Sequence, residues 1–530
     1  MRGKLRRRPL LPMHRPMILL ILLAGTALLW FQLDRLSLSV DEFVNVILER
    51  GDWQAIVADL RAGVDLHPPL THFIMSGWLR LVGESEWTVR FLWTLAAILN
   101  LALTYRLAFL LLDRTTGLLA ATLVLTLPTF LLYSRFEKYY SLTVTFSLLL
   151  LIAGIYLWRA PTPRRAIFYT LALAALLYTD YLAPLFLVLA QDIVMFIYGR
   201  RRSQLIAFLG SQALAALLFL PWLAVLAAQA QTLQGSLAAD LGARWTGFVL
   251  RLAYLPVSFG MGETILPWEG TAIVGAIALL IAGVAGMMRL TRGWRSGDPP
   301  AGALVLIILL LSLLGAAWLT NFVFSSVPFI AFPNHVFFLL PLVAIVVAAG
   351  LRAIRSFAPR VLLFIFILFP RLVGIDNYYQ GLDYHNPIYA VPMREVAEKV
   401  LAESAPGDVV VSAYDTGFGY YYDRLTAAPG ATTSPPDSLV LGKSADAIRA
   451  LAAAQPPRVW LLRFGRDRTE ALAPEPEVAA WLETAGYFVA AEERYVLLNL
   501  TYVSVKQNLL DRDSYDAKLY VDLYQLPETP

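Results

Sequence analysis

The chain of 530 residues contains no cysteine. Disulfides, thiolate nucleophiles and cysteine-held metals are therefore excluded. Charge is scarce as well: Asp, Glu, Lys and Arg make up 15% of residues, against about 25% in soluble domains. An ordinary soluble enzyme is thereby excluded. Also missing are a Gly-rich phosphate loop and a dinucleotide fingerprint, so nothing signals a nucleotide site. No internal repeat is visible, whereas transporters often carry inverted repeats.

Apolar residues are abundant, at 58%. They recur in stretches at 17–33, 88–112, 116–133, 138–158, 166–179, 181–198, 204–228, 268–288, 302–324, 333–350 and 358–374. A stretch of about 20 apolar residues is long enough to cross a bilayer as a helix. The helix is favoured because lipid offers no partner for bare backbone N–H and C=O groups. The reading is an α-helical polytopic membrane protein with about eleven transmembrane helices, from hydropathy windows.

Basic residues orient these spans. The N-terminus "MRGKLRRRPLLPMHRP" and the connections "RAPTPRR" (159–165), "GRRRS" (199–203), "RLTRGWRSG" (289–297) and "RAIRSFAPR" (352–360) are basic. The alternate connections "YTDY" (178–181) and "SSVPFIAFPN" (325–334) contain no Lys or Arg. Basic loops stay on the cytoplasmic side. The N-terminus is therefore expected in the cytoplasm, and 34–87, 134–138 and everything after 375 outside the plasma (inner) membrane. The first apolar segment ends "LLWFQLDRL" without a small-residue cleavage site, so an uncleaved first helix is expected rather than a signal peptide. A nucleic-acid-binding arm is the weaker reading of the basic run beside a membrane helix, and no nucleic-acid partner is expected.

Composition changes near residue 376. "MREVAEKVLAESAPGDVVVSAYD" reads as a helix, a Pro-Gly turn and a buried strand. "PPRVWLLRFG" (456–465) and "RYVLLNLTYVSVKQ" (494–507) read as further strands. Residues 1–375 form the expected membrane domain, and 376–530 suffice for one small C-terminal α/β extracytoplasmic domain.

The first external loop, 34–87, is patterned. Val40, Phe43, Val44 and Ile47, then Trp53, Ile56, Val57 and Leu60, follow helical i, i+3, i+4, i+7 spacing. Two amphipathic helices on the membrane surface are expected. Asp41 and Glu42 fall in the first turn of the first helix. "SVDE" (39–42) fits a capping box with Ser39 as N-cap, and acidic groups suit a helix N-terminus. A cap accounts for Glu42 and does not require Asp41. His67 and His72, two of the five histidines, read either as solvated interfacial side chains or as phosphate contacts or metal ligands. In "PTFLLYSRFEKYYSLTVTFSLLLL" (128–151), Arg135, Glu137 and Lys138 stand at a membrane boundary. Ionisable groups there pair or work. The other reading is anchoring, with Tyr139 and Tyr140 in an aromatic belt.

Taken in order, "DE" (41–42), "HPPL" (67–70), "LVGESEWTVRFLW" (81–93) and "YSRFEKYYSLTVTFSLL" (133–149) resemble the family 39 glycosyltransferases. These are GT-C-fold membrane enzymes related to protein O-mannosyltransferases and to the lipid A aminoarabinose transferase. The motifs match over 36–160; the rest matches in layout. The resemblance implies a GT-C fold and transfer of a sugar, with inversion, from a polyprenyl-phosphate donor to an extracytoplasmic acceptor (protein, lipid or glycan). It implies Asp41 as catalytic base and Glu137 as the acid completing the site. Arg135, Lys138 and Tyr140 would hold the donor's phosphate or sugar, and His67 would lie near that phosphate or a metal. Glu42 would cap its helix, hold a metal, or both. No cofactor is required, and a divalent metal stays open.

Two positions depart from the family pattern. Asp180 in "TDY" (179–181) stands where relatives often have histidine. Asn334-His335 stands before "FFLLPLVAI" where relatives often have Arg-Tyr, so His335 takes part of the arginine's work or the donor pose differs. The rival reading from another class is a transporter or flippase for lipid-linked sugars.

Overall fold

The computed structural model describes residues 14–199, 201–233, 241–295, 301–323, 332–386, 389–412, 417–427, 438–441, 444–465, 475–497, 499, 501–502 and 518–527. The chain divides into two units: Met1–Leu33 with Leu48–Asp376, and Asp34–Ile47 with Asn377–Pro530. Segment 34–47, expected in the loop of the membrane domain, is thus grouped with the C-terminal residues.

The first unit is helical. Each expected span coincides with a helix. Among the described residues six are long and apolar enough to cross a membrane alone: Glu86–Leu111, Tyr140–Arg159, Arg202–Gln231, Gly270–Arg292, Gly302–Phe322 and Phe357–Gln380. A seventh is a bent pair, Arg114–Leu125 and Pro128–Ser134, which meet at 68°. His14–Trp30, Leu182–Tyr198 and Phe337–Ala353 are apolar but only 10–17 residues long, and Pro163–Leu177 has 15 residues. The shortfall from about eleven spans therefore lies in helix length, since a full crossing takes about 20 residues.

Pro128 explains the bend. A proline has no N–H to donate and disfavours helical geometry at the residue before it. Leu127 is accordingly extended, at φ −90° and ψ 123°, with Pro128 opening the next helix. That short helix delivers the turn 135–139. Helices Leu70–Val82 and Leu241–Gly260, the latter with Arg251 and an internal Pro256, were not anticipated.

Small residues set the tightest helix contact. A Cβ on Gly350 would collide with the carbonyl oxygen of Ala282, and one on Gly286 with that of Val346. Helices Gly270–Arg295 and Leu340–Ala353 therefore touch backbone to backbone, as small residues permit in membranes.

The apolar faces of the two loop helices are packed on protein in part. Ile56 and Leu60 of helix Trp53–Ala62 pack with Phe219, Trp222 and Val225. Phe43 of helix Val40–Glu49 is buried and stacks on Tyr420, with ring centroids 5.9 Å apart. Ile47 and Trp53 of the same two faces stay exposed.

The second unit is built on a five-stranded sheet, in order β2-β1-β3-β5-β4. β1 (Val409–Ser412) pairs parallel with β2 (Ser438–Leu441) and β3 (Arg458–Gly465). β5 (Lys518–Gln525) runs antiparallel to β3 and to β4 (Phe488–Val496). β1 is wholly buried, as a continuous apolar run in a covered parallel strand should be. The strand expected at 494–507 begins earlier, at Phe488, and ends at Val496; residues 503–507 lie outside the described residues. β5 was not anticipated. Buried Asp408 receives Arg458 Nε at 2.8 Å, Arg458 Nη2 at 2.6 Å, Trp460 Nε1 at 3.2 Å and the Ala405 N–H at 2.9 Å. The bonds from Arg458 and Trp460 tie strand β3 to the turn that precedes β1.

Gly350→Val should separate the two tightly packed helices. The expected cost is about 1–3 kcal/mol for overpacking, read as a lower thermal midpoint in detergent. An unchanged midpoint would mean that the helices do not touch there.

Candidate active site

Asp41 and Glu42 belong to the second unit. Ser39 ends the extended approach to the helix, and its carbonyl accepts the N–H groups of Glu42 and Phe43, both at 3.0 Å. The Glu42 carboxylate reaches back to the Ser39 N–H at 2.9 Å. That is the return half of a capping box. Glu42 is buried and committed to this bond, whereas Asp41 is half-buried and the cap does not use it.

The first unit gathers a different set. His67 Nδ1 meets Asp65 Oδ1 in a close ion-pair contact, and the same oxygen accepts the His67 backbone N–H at 3.1 Å. Asp65 Oδ2 lies 3.6 Å from His72 Nε2. His72 Nδ1 is 3.0 Å from Glu49 Oε1, and the Glu49 carboxyl bonds that of Glu137. A continuous row of titratable groups results: His67, Asp65, His72, Glu49, Glu137. The two prolines after His67 stiffen the approach. Gln229 pins the other side, donating Nε2 to the carbonyls of Leu60 and Asp65, both at 3.1 Å.

The row separates its charges. Burial alone would raise Asp65, but His67, Lys138 and His72 outweigh it and hold the carboxyl well below the usual range. Burial lowers His72 to about 4 against the opposing pull of Asp65, with His67 and Lys138 pushing the same way as burial. Glu49 is pushed well up, first by burial and then by the neighbouring Glu137 and Asp65. The row thus favours a charged Asp65, a neutral His72 and a protonated Glu49.

Aromatic residues line the cluster. The His67 ring lies against Tyr139, centroids 4.2 Å apart, and Tyr139 OH is 3.4 Å from His335 Nδ1. Asn334 Nδ2 donates to Tyr140 OH at 2.8 Å. Arg251, buried, bonds Asn321 Oδ1 and stands 6.0 Å over the Phe332 ring. His67, Glu137, Lys138, Tyr139 and His335 thus come together in the first unit. Arg135 does other work: Nη2 donates to the carbonyls of Phe31 and Gln32 at 2.9 and 2.6 Å, just past the end of the first helix. Asp180 likewise caps helix Leu182–Tyr198, accepting Leu182 N–H at 2.7 Å and Ala183 N–H at 2.8 Å.

Sequence reasoning missed Glu49, Asp65, Arg251 and Glu263. Asp65 stands two residues before His67 in "DLHPPL", which was the available signal. Glu263 accepts both Tyr133 OH, at 3.0 and 2.9 Å, and Ser258 Oγ, at 2.6 Å; burial raises it to about 7. Among the described residues no group of three His, Asp or Glu side chains is arranged to hold a metal ion. The near nitrogens of His67 and His72 face carboxyls.

Residues 66–224 match the family described as dolichyl-phosphate-mannose-protein mannosyltransferase. The structure of ArnT from Cupriavidus metallidurans bound to undecaprenyl phosphate is similar at a TM-score of 0.54 and 12% identity, covering 96% of this chain and 98% of that one. The fold is GT-C. The archaeal oligosaccharyltransferase AglB from Archaeoglobus fulgidus, in complex with an inhibitory peptide and a dolichol-phosphate, gives a TM-score of 0.50 and 12% identity over 85% of this chain and 69% of that one. No curated protein sequence matches. The family match covers His67, His72, Glu137 and Lys138, while Glu49, Asp65 and His335 lie outside it.

Folded Glu49 holds its proton above the ordinary value of 4.5. Stability tied to that proton is complete below 4.5, where the folded and unfolded chains are both protonated. It is lost as pH rises through the raised folded value. Glu49→Gln stays neutral throughout, so its thermal midpoint should fall less than the wild type's between about pH 5 and 8. Parallel pH profiles from thermal unfolding in detergent would remove the proton from Glu49.

Proposed function

We propose that the chain is a glycosyltransferase that moves a sugar from a polyprenyl-phosphate donor to an extracytoplasmic acceptor at the outer membrane face. The reading rests on the fold shared over nearly its full length with a protein holding undecaprenyl phosphate. Eleven spans, with the N-terminus in the cytoplasm and the C-terminal domain outside the plasma membrane, complete the proposed topology.

The chemistry divides among the residues already described. An acceptor hydroxyl is a poor nucleophile until a positioned carboxylate takes its proton. Asp41 is assigned that base, because the cap engages Glu42 and not Asp41. The new bond forms from the acceptor oxygen to the anomeric carbon, on the face opposite the departing phosphate, which gives inversion. The bond from that carbon to the phosphate oxygen breaks, and the polyprenyl phosphate leaves with the electron pair. Its charge needs stabilisation, not protonation. Lys138 supplies a cation for it, with His67 and His335 beside the same turn. Glu137, hydrogen-bonded to protonated Glu49, accepts hydroxyls of the sugar. Tyr140 orders this turn through Asn334. Arg135 and Glu42 are assigned to holding backbone.

Asp41→Asn should lower transfer by about 10²–10⁴-fold, the usual worth of a general base, with no change in thermal midpoint. The assay follows label from polyprenyl-phosphate mannose, glucose and arabinose in proteoliposomes with membrane extract as acceptor. Turnover by Asp41→Asn within threefold of wild type would overturn the assignment. Label crossing the bilayer equally in both proteins, without transfer, would favour a flippase.

A further inference from the structure

The segment that carries Asp41 is fastened to the C-terminal residues by side chains that the sequence never flagged. Ser37 is the centre of this fastening. Its Oγ donates to Glu395 Oε2 at 2.9 Å and accepts the Arg394 backbone N–H at 3.0 Å. Helix Met393–Glu403 starts at Pro392, which offers no side-chain cap. The first N–H groups of a helix have no partner within it. Ser37, 357 residues away in sequence, therefore supplies the cap that Pro392 cannot.

The neighbouring contacts run in the same direction. The Arg394 guanidinium donates to the carbonyls of Asp34 and Arg35, at 3.1 and 3.0 Å. Leu38 N–H donates to Tyr421 OH at 2.6 Å. Phe43, one turn further on, stacks on Tyr420. Gly417 leaves room for that ring: a Cβ there would stand 3.0 Å from Phe43, and its φ of +105° suits glycine. On the Asp41 side every backbone group bonded here lies between 34 and 38, so the last hydrogen-bonded anchor is three residues before Asp41. Little slack remains between anchor and carboxylate.

We propose that Arg394, Glu395 and Tyr421 are positioning residues for Asp41, and that the C-terminal unit is the platform holding the catalytic base in register. The proposal rests on the reading of Asp41 as the base. It gives the C-terminal unit a role distinct from acceptor recognition. A base must be held within about 0.5 Å of its productive position by groups that are themselves fixed, and a shift of about 1 Å can cost a hundredfold in rate. None of the three positioning residues is asked to touch donor or acceptor.

The test uses the full-length protein in detergent and in proteoliposomes. Tyr421→Phe removes one hydroxyl and Arg394→Ala removes the clamp on Asp34 and Arg35. Both should raise amide exchange in peptides covering 34–47 by tenfold or more, while peptides from helix Tyr140–Arg159 stay unchanged. Both should lower kcat tenfold or more, with KM for the polyprenyl-phosphate mannose, glucose or arabinose donors within twofold of wild type. Glu395→Gln keeps an oxygen for Ser37 and should retain exchange protection and kcat, whereas Glu395→Ala should lose both. Unchanged exchange in Tyr421→Phe and Arg394→Ala overturns the proposal, as does a loss expressed in KM alone. Exchange is measured without substrate, so its outcome stands apart from the function assigned to Asp41. Active Asp41→Asn beside loosened 34–47 would sink the assignment of the base and leave the anchoring intact.

Discussion

Two buried carboxyls in contact cannot both be charged. At 4 Å, in an effective dielectric of about 20, two like charges repel by about 4 kcal/mol. Glu49 and Glu137 meet out of water, so a proton stays on Glu49 and the pair becomes a hydrogen bond. The rest of the first-unit cluster depends on that proton. It lets Glu49 meet Glu137 in the turn that follows Pro128–Ser134 without two charges in contact. Asp65 is held as a buried anion, and His67, Lys138 and the tie of its own backbone carbonyl to Gln229 gather around it.

The same economy separates the two acids at 41 and 42. A helix N-terminus in a protein interior needs acceptors for its first N–H groups. Ser39 and Glu42 exchange bonds there at short range. One acid of the pair is therefore spent on folding, and chemistry, if it is carried by this pair, falls to the other. Arg135 and Asp180 show the same division. Both are ionisable residues at loop positions, and both are engaged to backbone, Arg135 to two carbonyls and Asp180 to two N–H groups.

The legible part of the sequence was whatever rests on local pattern. Apolar length placed the helices, and the shift near 376 placed a polar α/β segment. The capping box at 39–42 was readable because its bond spans three residues. What escaped depends on distant partners. Glu49 looked like the solvated end of an amphipathic helix, since nothing near it in sequence announces Glu137. Asp65 looked like a loop acid. Phe43 and Ile56 looked like membrane-facing residues, since an apolar face is the same in sequence whether lipid or protein covers it. Helix Leu241–Gly260 was passed over because a mid-helix Arg251 interrupts its apolar run. Ser37 gave no signal at all, because the helix it caps begins more than 350 residues later.

That last case carries the furthest consequence. A serine that caps a remote helix ties the folding of 34–47 to that of 393–403, so neither segment reaches its native form without the other. Local propensity is weak on both sides: Pro392 cannot cap, and the stretch 34–39 has no regular structure of its own. Each supplies what the other lacks, a hydroxyl for an orphan N–H and a rigid helix start for a loose strand. Contacts of such long sequence separation are formed late and at high entropic cost in chain closure. The acid three residues beyond the last anchor is therefore ordered only when the C-terminal unit has folded, which makes the completed polar domain a condition for presenting Asp41 and not an appendage to it.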